Sequence, residues 1–289
     1  MKKQKPNYPV FCHRVLKGIL MLMFGLTTSI LCAQDPWASN FIDTIIKYQP
    51  DESKIQVDTI NPQFNVTLGI RAFVVNSSDG YSHFDPVSLV DGLMWVNKYF
   101  KQIGLQFRYV SFDTIPEYEY VNILSMVGTK EMEVKYASSD YINLFIVDSI
   151  LVQTPPIKGY ASYPGDTEHS AIFVTKEHAG DKTLTQLMGN FFGLLNTNEN
   201  SRGAEHANED NCMSSGDYLC DTWADPNIFN MVDKNCRYSG GPTDANGDFY
   251  VPSVANLMSN APDDCKCIFT IGQYRRMLFY YQKFRSGLK

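Results

Sequence analysis

Apolar and polar positions follow no regular period until Phe64, where ordered blocks begin. Val66 to Val75 is dense in β-forming residues and predicts a strand. Asp85-Pro86 carries the marks of a helix start, a capping carboxylate with Pro at the first helical position, and Gly104 marks its stop. Between them Leu89, Val90, Leu93, Val96, Phe100 and Ile103 recur at helical spacing and predict one core-facing stripe. Further strands are predicted over 105–112, 141–147, 159–163 and 171–175. From 183 to 196, Leu184, Leu187, Met188, Phe191 and Leu195 mark a second helix with a buried stripe. A last helix is expected from Ile271 to Phe284, opened by a capping box of Thr270 and Gln273. The pattern predicts an α+β chain. A twisted mixed sheet with its helices occupies the N-terminal half, and an irregular C-terminal half closes in a helix.

The N-terminus begins with Lys2, Lys3, Lys5, Arg14 and Lys17, followed by an apolar run from Ile19 to Ala33. That run is short for a membrane span and ends in a small residue, the form of a secretory signal over 1–33 cut after Ala33. Ser29-Ile30-Leu31 before Cys32 is a poor lipoprotein signal. The runner-up is an uncleaved anchor, the one case in which a membrane becomes a partner. Residues 34–63 are polar and are expected to be an exposed leader or pro-segment. The remaining 64–289 then form one domain, with an upper half over 64–193 and a lower half over 194–289.

Composition narrows the function classes. Net charge is −6, both signs are interspersed and no basic block occurs, which sets nucleic acid aside. After the signal the cysteines are Cys212, Cys220, Cys236, Cys265 and Cys267. In an exported chain they predict a local disulfide framework with one thiol left over. A cysteine-rich zinc site is disfavoured, because no C-x-x-C pair is present.

The helix over 183–196 carries the chemical question. Gln186 and Asn190 stand at i and i+4, Gly193 follows, and then Asn196. Metzincin proteases have H-E-x-x-H-x-x-G-x-x-H here, with a Met-turn downstream. Two imidazoles one helical turn apart share an ion, the Glu activates the metal-bound water, and the Gly break lets a third His close the site. In this chain the three His positions hold Gln186, Asn190 and Asn196, and the general-base position holds Leu187.

The chain resembles the pappalysin-like branch of the metzincins over roughly residues 66–282. Thr183-Leu184 and Phe192-Gly193-Leu194-Leu195 carry the resemblance, with Cys212-Met-Ser-Ser-Gly-Asp217, Leu219-Cys-Asp-Thr-Trp-Ala-Asp-Pro226 and Thr243-Asp-Ala-Asn-Gly-Asp248. Asn256-Leu-Met258 resembles the Met-turn, and Cys265, Phe269-Thr270, Gly272-Gln273 and Arg276-Met277 match the stretch after it. Gly159-Tyr160-Ala161-Ser162-Tyr163-Pro164 resembles the strand lining the substrate cleft. The resemblance implies a zincin-type fold and a zinc endopeptidase, but its departures fall on the chemistry. A Tyr after the Met-turn is replaced by Asn260, and residues 34–211 hold no cysteine to block a zinc ion.

Neutral amides suit calcium-like ions better than zinc, so no zinc is expected, and the amides should bond to one another. Asp217, Asp221 and Thr222 lie where the resemblance implies structural calcium. His83, His169, His178 and His206 show no metal spacing and are expected to be surface or hydrogen-bonded. The resemblance also puts Cys267 outside the family's cysteine positions. Four remaining cysteines allow three pairings, of which the crossed one, Cys212–Cys236 with Cys220–Cys265, is expected.

Three functions compete at this point. One is an exported pseudopeptidase whose cleft, with a free edge at 159–164, binds an extended peptide or protein segment. Another is a secreted peptidase with unorthodox ligation. The last is a structural surface protein. The first is expected.

Overall fold

A computed structural model of the chain describes residues 38–60, 62, 64–166 and 170–289. The signal segment 1–33 and His169 lie outside the described residues. The first element is helix α1 (Ala38–Glu52), in the segment expected to be an exposed leader. Ala38, Phe41, Ile42 and Ile45 recur at i, i+3, i+4 and i+7 and are buried against Tyr163, Leu195, Tyr218, Phe279 and Tyr280. Phe41 stacks on Tyr163 at 4.7 Å and meets Tyr280 edge-on at 5.1 Å. Polar residues outnumber this stripe in the sequence, and the stripe decides where the helix lies.

Strand β1 (Val66–Val75) runs as expected. Helix α2 (Val87–Phe100) crosses back to β2 (Leu105–Ile115), and Gly104, at φ +74°, turns the chain between them. A Cβ at Gly104 would lie 1.6 Å from the Phe64 carbonyl oxygen, so only glycine fits. Val90, expected on the core face of α2, is exposed instead, because the apolar stripe there is narrower than the periodicity suggests. A short β3 (Asn122–Ile123) and α3 (Met126–Tyr136) precede β4 (Ile142–Val147). Then follow β5 (Ser149–Ile150), which pairs with β3, the edge strand β6 (Gly159–Ala161) and β7 (Ala171–Thr175).

The main sheet has the order β2-β1-β4-β7-β6; β6 alone runs antiparallel. It is mixed, as expected, but its parallel crossovers make the N-terminal half α/β rather than α+β. Leu68, Ile70, Ala72 and Val74 face one core with α2, and Phe73 and Val75 face the other with Phe145 and Phe173. Every residue of β4 is buried, the sign of a strand covered on both faces.

Beyond residue 192 the chain is irregular up to α5 (Ile271–Tyr280), whose Thr270–Gln273 capping box forms as expected. Two disulfides staple this half, Cys212–Cys220 and Cys236–Cys265. The expected crossed pairing is therefore wrong. Left-handed turns at Gly216 and Tyr218 fold the chain back on itself, so that Cys212 meets Cys220 locally. Cys267 stays outside both bridges, as expected. Non-reducing mass mapping should recover these two linkages with Cys267 in neither.

Candidate functional site

Helix α4 (Lys182–Phe191) forms the floor of the candidate site. Asp181 caps it, its Oδ1 accepting from Thr183 N at 2.7 Å. Leu184, Leu187, Met188 and Phe191 are buried, so the apolar stripe drives the helix into the core. The helix stops at Phe191, short of the expected 196, where Gly193 adopts φ +92°. A Cβ at Gly193 would lie 2.5 Å from the Tyr280 ring, so conformation and space both require glycine. The reversal returns the chain past α4 and brings Asn196 to Gln186, whose Nε2 donates to Asn196 Oδ1 at 2.9 Å. Asn190 does not join them. Its Nδ2 donates to Leu194 O at 2.8 Å and to Tyr163 Oη at 3.2 Å, securing the turn.

The neighbours of α4 are also in place. Met258 is buried beneath the helix, and a Cβ on Gly189 would lie 2.8 Å from its sulfur. Asn256 shapes this turn by accepting from Met258 N at 2.8 Å while exchanging amide hydrogen bonds with Gln273. Asn260 donates to Asn227 Oδ1 at 3.0 Å on the wall of the cleft. Leu187 fits under β6, where a Cβ on Gly159 would meet its Cδ1 at 2.5 Å.

Sequence reasoning missed Lys266. Its side chain is 4% exposed, yet it reaches the cleft, donating to Gln186 Oε1 at 3.3 Å and pairing with Asp263 at 2.7 Å. Burial pushes its pKa down, opposed by the Asp263 carboxylate. Lys182 supports it, donating to the carbonyls of Asp263 and Lys266 at 2.6 and 2.7 Å while its ammonium lies over Trp95. No periodicity or motif marks a lysine between Cys265 and Cys267. The floor thus carries three neutral amides and a leucine, with one ammonium beside them.

The cleft above this floor has a volume of about 540 Å³. β6 forms one wall, but the expected free edge is shorter than Gly159–Pro164. Arg285 lies over Phe191 and donates to the carbonyls of Ser162 and Tyr163 at 3.2 and 3.3 Å, which closes that end. Lys158 O accepts from Thr175 N and Ser162 N donates to Ala171 O, so by strand alternation Gly159 and Ala161 direct their backbone groups away from β7. Helix α1 packs behind Tyr163, and no described residue of the leader lines the cleft. His83, His178 and His206 each bond an aspartate three or four residues away. Among the described residues no group of three His, Cys, Asp or Glu side chains gathers as metal ligands.

The calcium candidates divide between two tasks. Asp221 accepts from Thr270 Oγ1 at 2.9 Å and Gly272 N at 2.6 Å, at the start of α5. Asp217 is fully buried, with Oδ1 accepting from Thr222 Oγ1 at 2.9 Å and Leu219 N at 3.0 Å. Burial raises its pKa to about 7, against the lowering effect of Arg276. The folded state therefore holds this proton where the unfolded chain has released it. In calcium-free buffer the Asp217 contribution to stability is complete below about pH 4 and falls as pH rises through 7. Asp217→Asn should flatten that slope in urea unfolding measured from pH 5 to 8, and an unchanged slope would refute the assignment.

No family model matches the chain, and no curated protein matches it in sequence. Solved structures do match its fold. Mirolysin in complex with a compound 9 superposes with a TM-score of 0.55 at 15% identity, over 78% of this chain and 96% of that one. A point mutant of Tannerella forsythia promirolysin superposes with a TM-score of 0.55 at 14% identity, over 88% of this chain and 92% of that one. The chain thus shares its overall fold with these two structures.

Proposed function

We propose that this protein is an exported, catalytically silent relative of the pappalysin-like metzincins whose cleft binds extended peptide without cleaving it. The observation that carries the reading is the floor of the cleft. Gln186 and Asn196 are bonded to each other, Asn190 is turned to the backbone, and Lys266 donates to Gln186. Neutral amides are poor zinc ligands, and an ammonium among them repels a dication. Leu187 cannot take a proton from water, so the general-base role has no occupant. The outward backbone groups of Gly159 and Ala161 can add a peptide strand, with side chains entering the cleft. Two disulfides support export, and among the described residues no helix is long and apolar enough to cross a membrane. Calcium at Asp217 keeps one argument, since its buried Oδ2 has no hydrogen-bond partner among the described residues.

Metal analysis and a broad protease assay on the purified protein test the reading. The expected outcome is substoichiometric zinc and no turnover, with peptide binding unchanged by a chelator. About one tightly held zinc per chain, or cleavage abolished by chelation, would establish the alternative of a working peptidase. Absence of binding across a diverse pool of extended peptides would leave the cleft without this role.

A further inference from the structure

Lys266 imposes a direction on the hydrogen bonds of the cleft floor. An ammonium has donors only, so Gln186 turns its Oε1 toward Lys266 Nζ at 3.3 Å. The Nε2 of Gln186 is then the group that faces Asn196, and Asn196 Oδ1 must accept, at 2.9 Å. This leaves Asn196 Nδ2 as a donor, and no hydrogen bond among the described residues engages it. At the other end of the relay, Gln186 and Asp263 take two of the three ammonium donors and leave one. The Lys266 backbone is fixed from behind by Lys182. Glu199 also lines the cleft, but its Oε1 accepts from Ser201 N at 2.7 Å. His178 lines it with Nδ1 on Asp181, and Lys158 adds a second cation at the exposed rim. The relay therefore presents donors at both ends.

We propose that the cleft floor is a carboxylate-binding site, in which the donors left over on Lys266 Nζ and Asn196 Nδ2 attract a carboxylate of a peptide lying along β6. The group is either the peptide's own C-terminus or an acidic side chain. This assignment rests on the peptide-binding reading above and adds the chemistry that the peptide must carry.

A matched set of extended peptides separates the cases in a fluorescence anisotropy titration. The free acid should bind about tenfold or more tightly than its C-terminal amide, the scale of a charge-assisted hydrogen bond gained or lost. An amidated peptide with an internal Glu that regains this affinity identifies the side chain as the source. Gln186→Glu is close in shape but accepts from both neighbours, so Asn196 turns its amide and the relay loses its outer donor. That variant and Lys266→Met, each verified as folded by circular dichroism, should lose the preference for acid over amide. Equal binding of acid and amide to the unaltered protein would overturn the carboxylate site and leave peptide binding standing. If no peptide binds, acetate titrated into isotope-labelled protein decides. A shift of the Asn196 side-chain NH2 signals would preserve the anion site alone, and no shift would overturn it.

Discussion

Glu52→Ala should lower the free energy of unfolding by roughly 3–5 kcal/mol, the range for removing one partner of a buried ion pair. Arg276 is completely buried in α5, and its Nε donates to Glu52 Oε2 at 3.0 Å across the interface with α1. Its terminal nitrogens donate to the carbonyls of Asp217 and Tyr218 at 2.6 and 2.8 Å. Without Glu52 the guanidinium keeps its carbonyls but loses its carboxylate in a medium that solvates it poorly. Pairing Glu52→Leu with Arg276→Met should restore part of the loss, because replacing a buried ion pair with well-packed apolar groups is often neutral, while the carbonyls of Asp217 and Tyr218 lose their donors. Deleting residues 38–52 goes further, since it also exposes the surface covering Phe41, Ile42 and Ile45, each worth about 1.5–3 kcal/mol. That sum approaches the whole stability of an ordinary domain, about 5–15 kcal/mol. Urea unfolding followed by circular dichroism should show no cooperative transition for the deletion. A cooperatively folded deletion protein would mean that α1 is a detachable leader after all.

Rebuilding a zinc site should require Lys266 to be removed as well. Gln186→His, Leu187→Glu, Asn190→His and Asn196→His together restore imidazole donors and a general base on the α4 scaffold that Gly193 and Met258 preserve. Lys266 remains in that set, with its ammonium 3.3 Å from the Gln186 side chain. Like charges about 4 Å apart repel by roughly 4 kcal/mol at an effective dielectric of about 20, and a dication doubles the repulsion. Lysine can swing partly away, so the expected penalty is smaller, about 100-fold in zinc affinity. The four-residue variant should bind zinc weakly, and adding Lys266→Met should tighten binding by about that factor. Competition titration with a chromophoric chelator reads the difference without any assay of activity. Equal affinity with and without Lys266 would show that the ammonium does not oppose a metal there. Proteolysis should stay poor in both variants, since Asn260 supplies no phenol and Leu187→Glu places a carboxylate in the tight space under Gly159.

What the sequence determined by itself is what depends on neighbours along the chain. The strand over 66–75, the α5 capping box, the buried stripe of α4 and the glycine break at Gly193 all follow from local conformational preference and a short apolar period. The loss of imidazole and carboxylate at 186, 187, 190 and 196 is likewise a matter of residue identity. The tertiary structure decided the rest. Helix α1 looked polar because only one narrow face is apolar, and that face acquires meaning only when Tyr163 and Tyr280 are there to cover it. The pairing Cys212–Cys220 depends on two left-handed turns, a backbone choice that cysteine spacing does not encode. Arg285 reaches Ser162 and Tyr163 from more than a hundred positions away and shortens the free edge. Lys266 stands eighty positions from Gln186, and long-range electrostatic contacts leave no period in a sequence. The residues that could have held a metal were legible in the chain, whereas the ammonium beside them became visible only after folding.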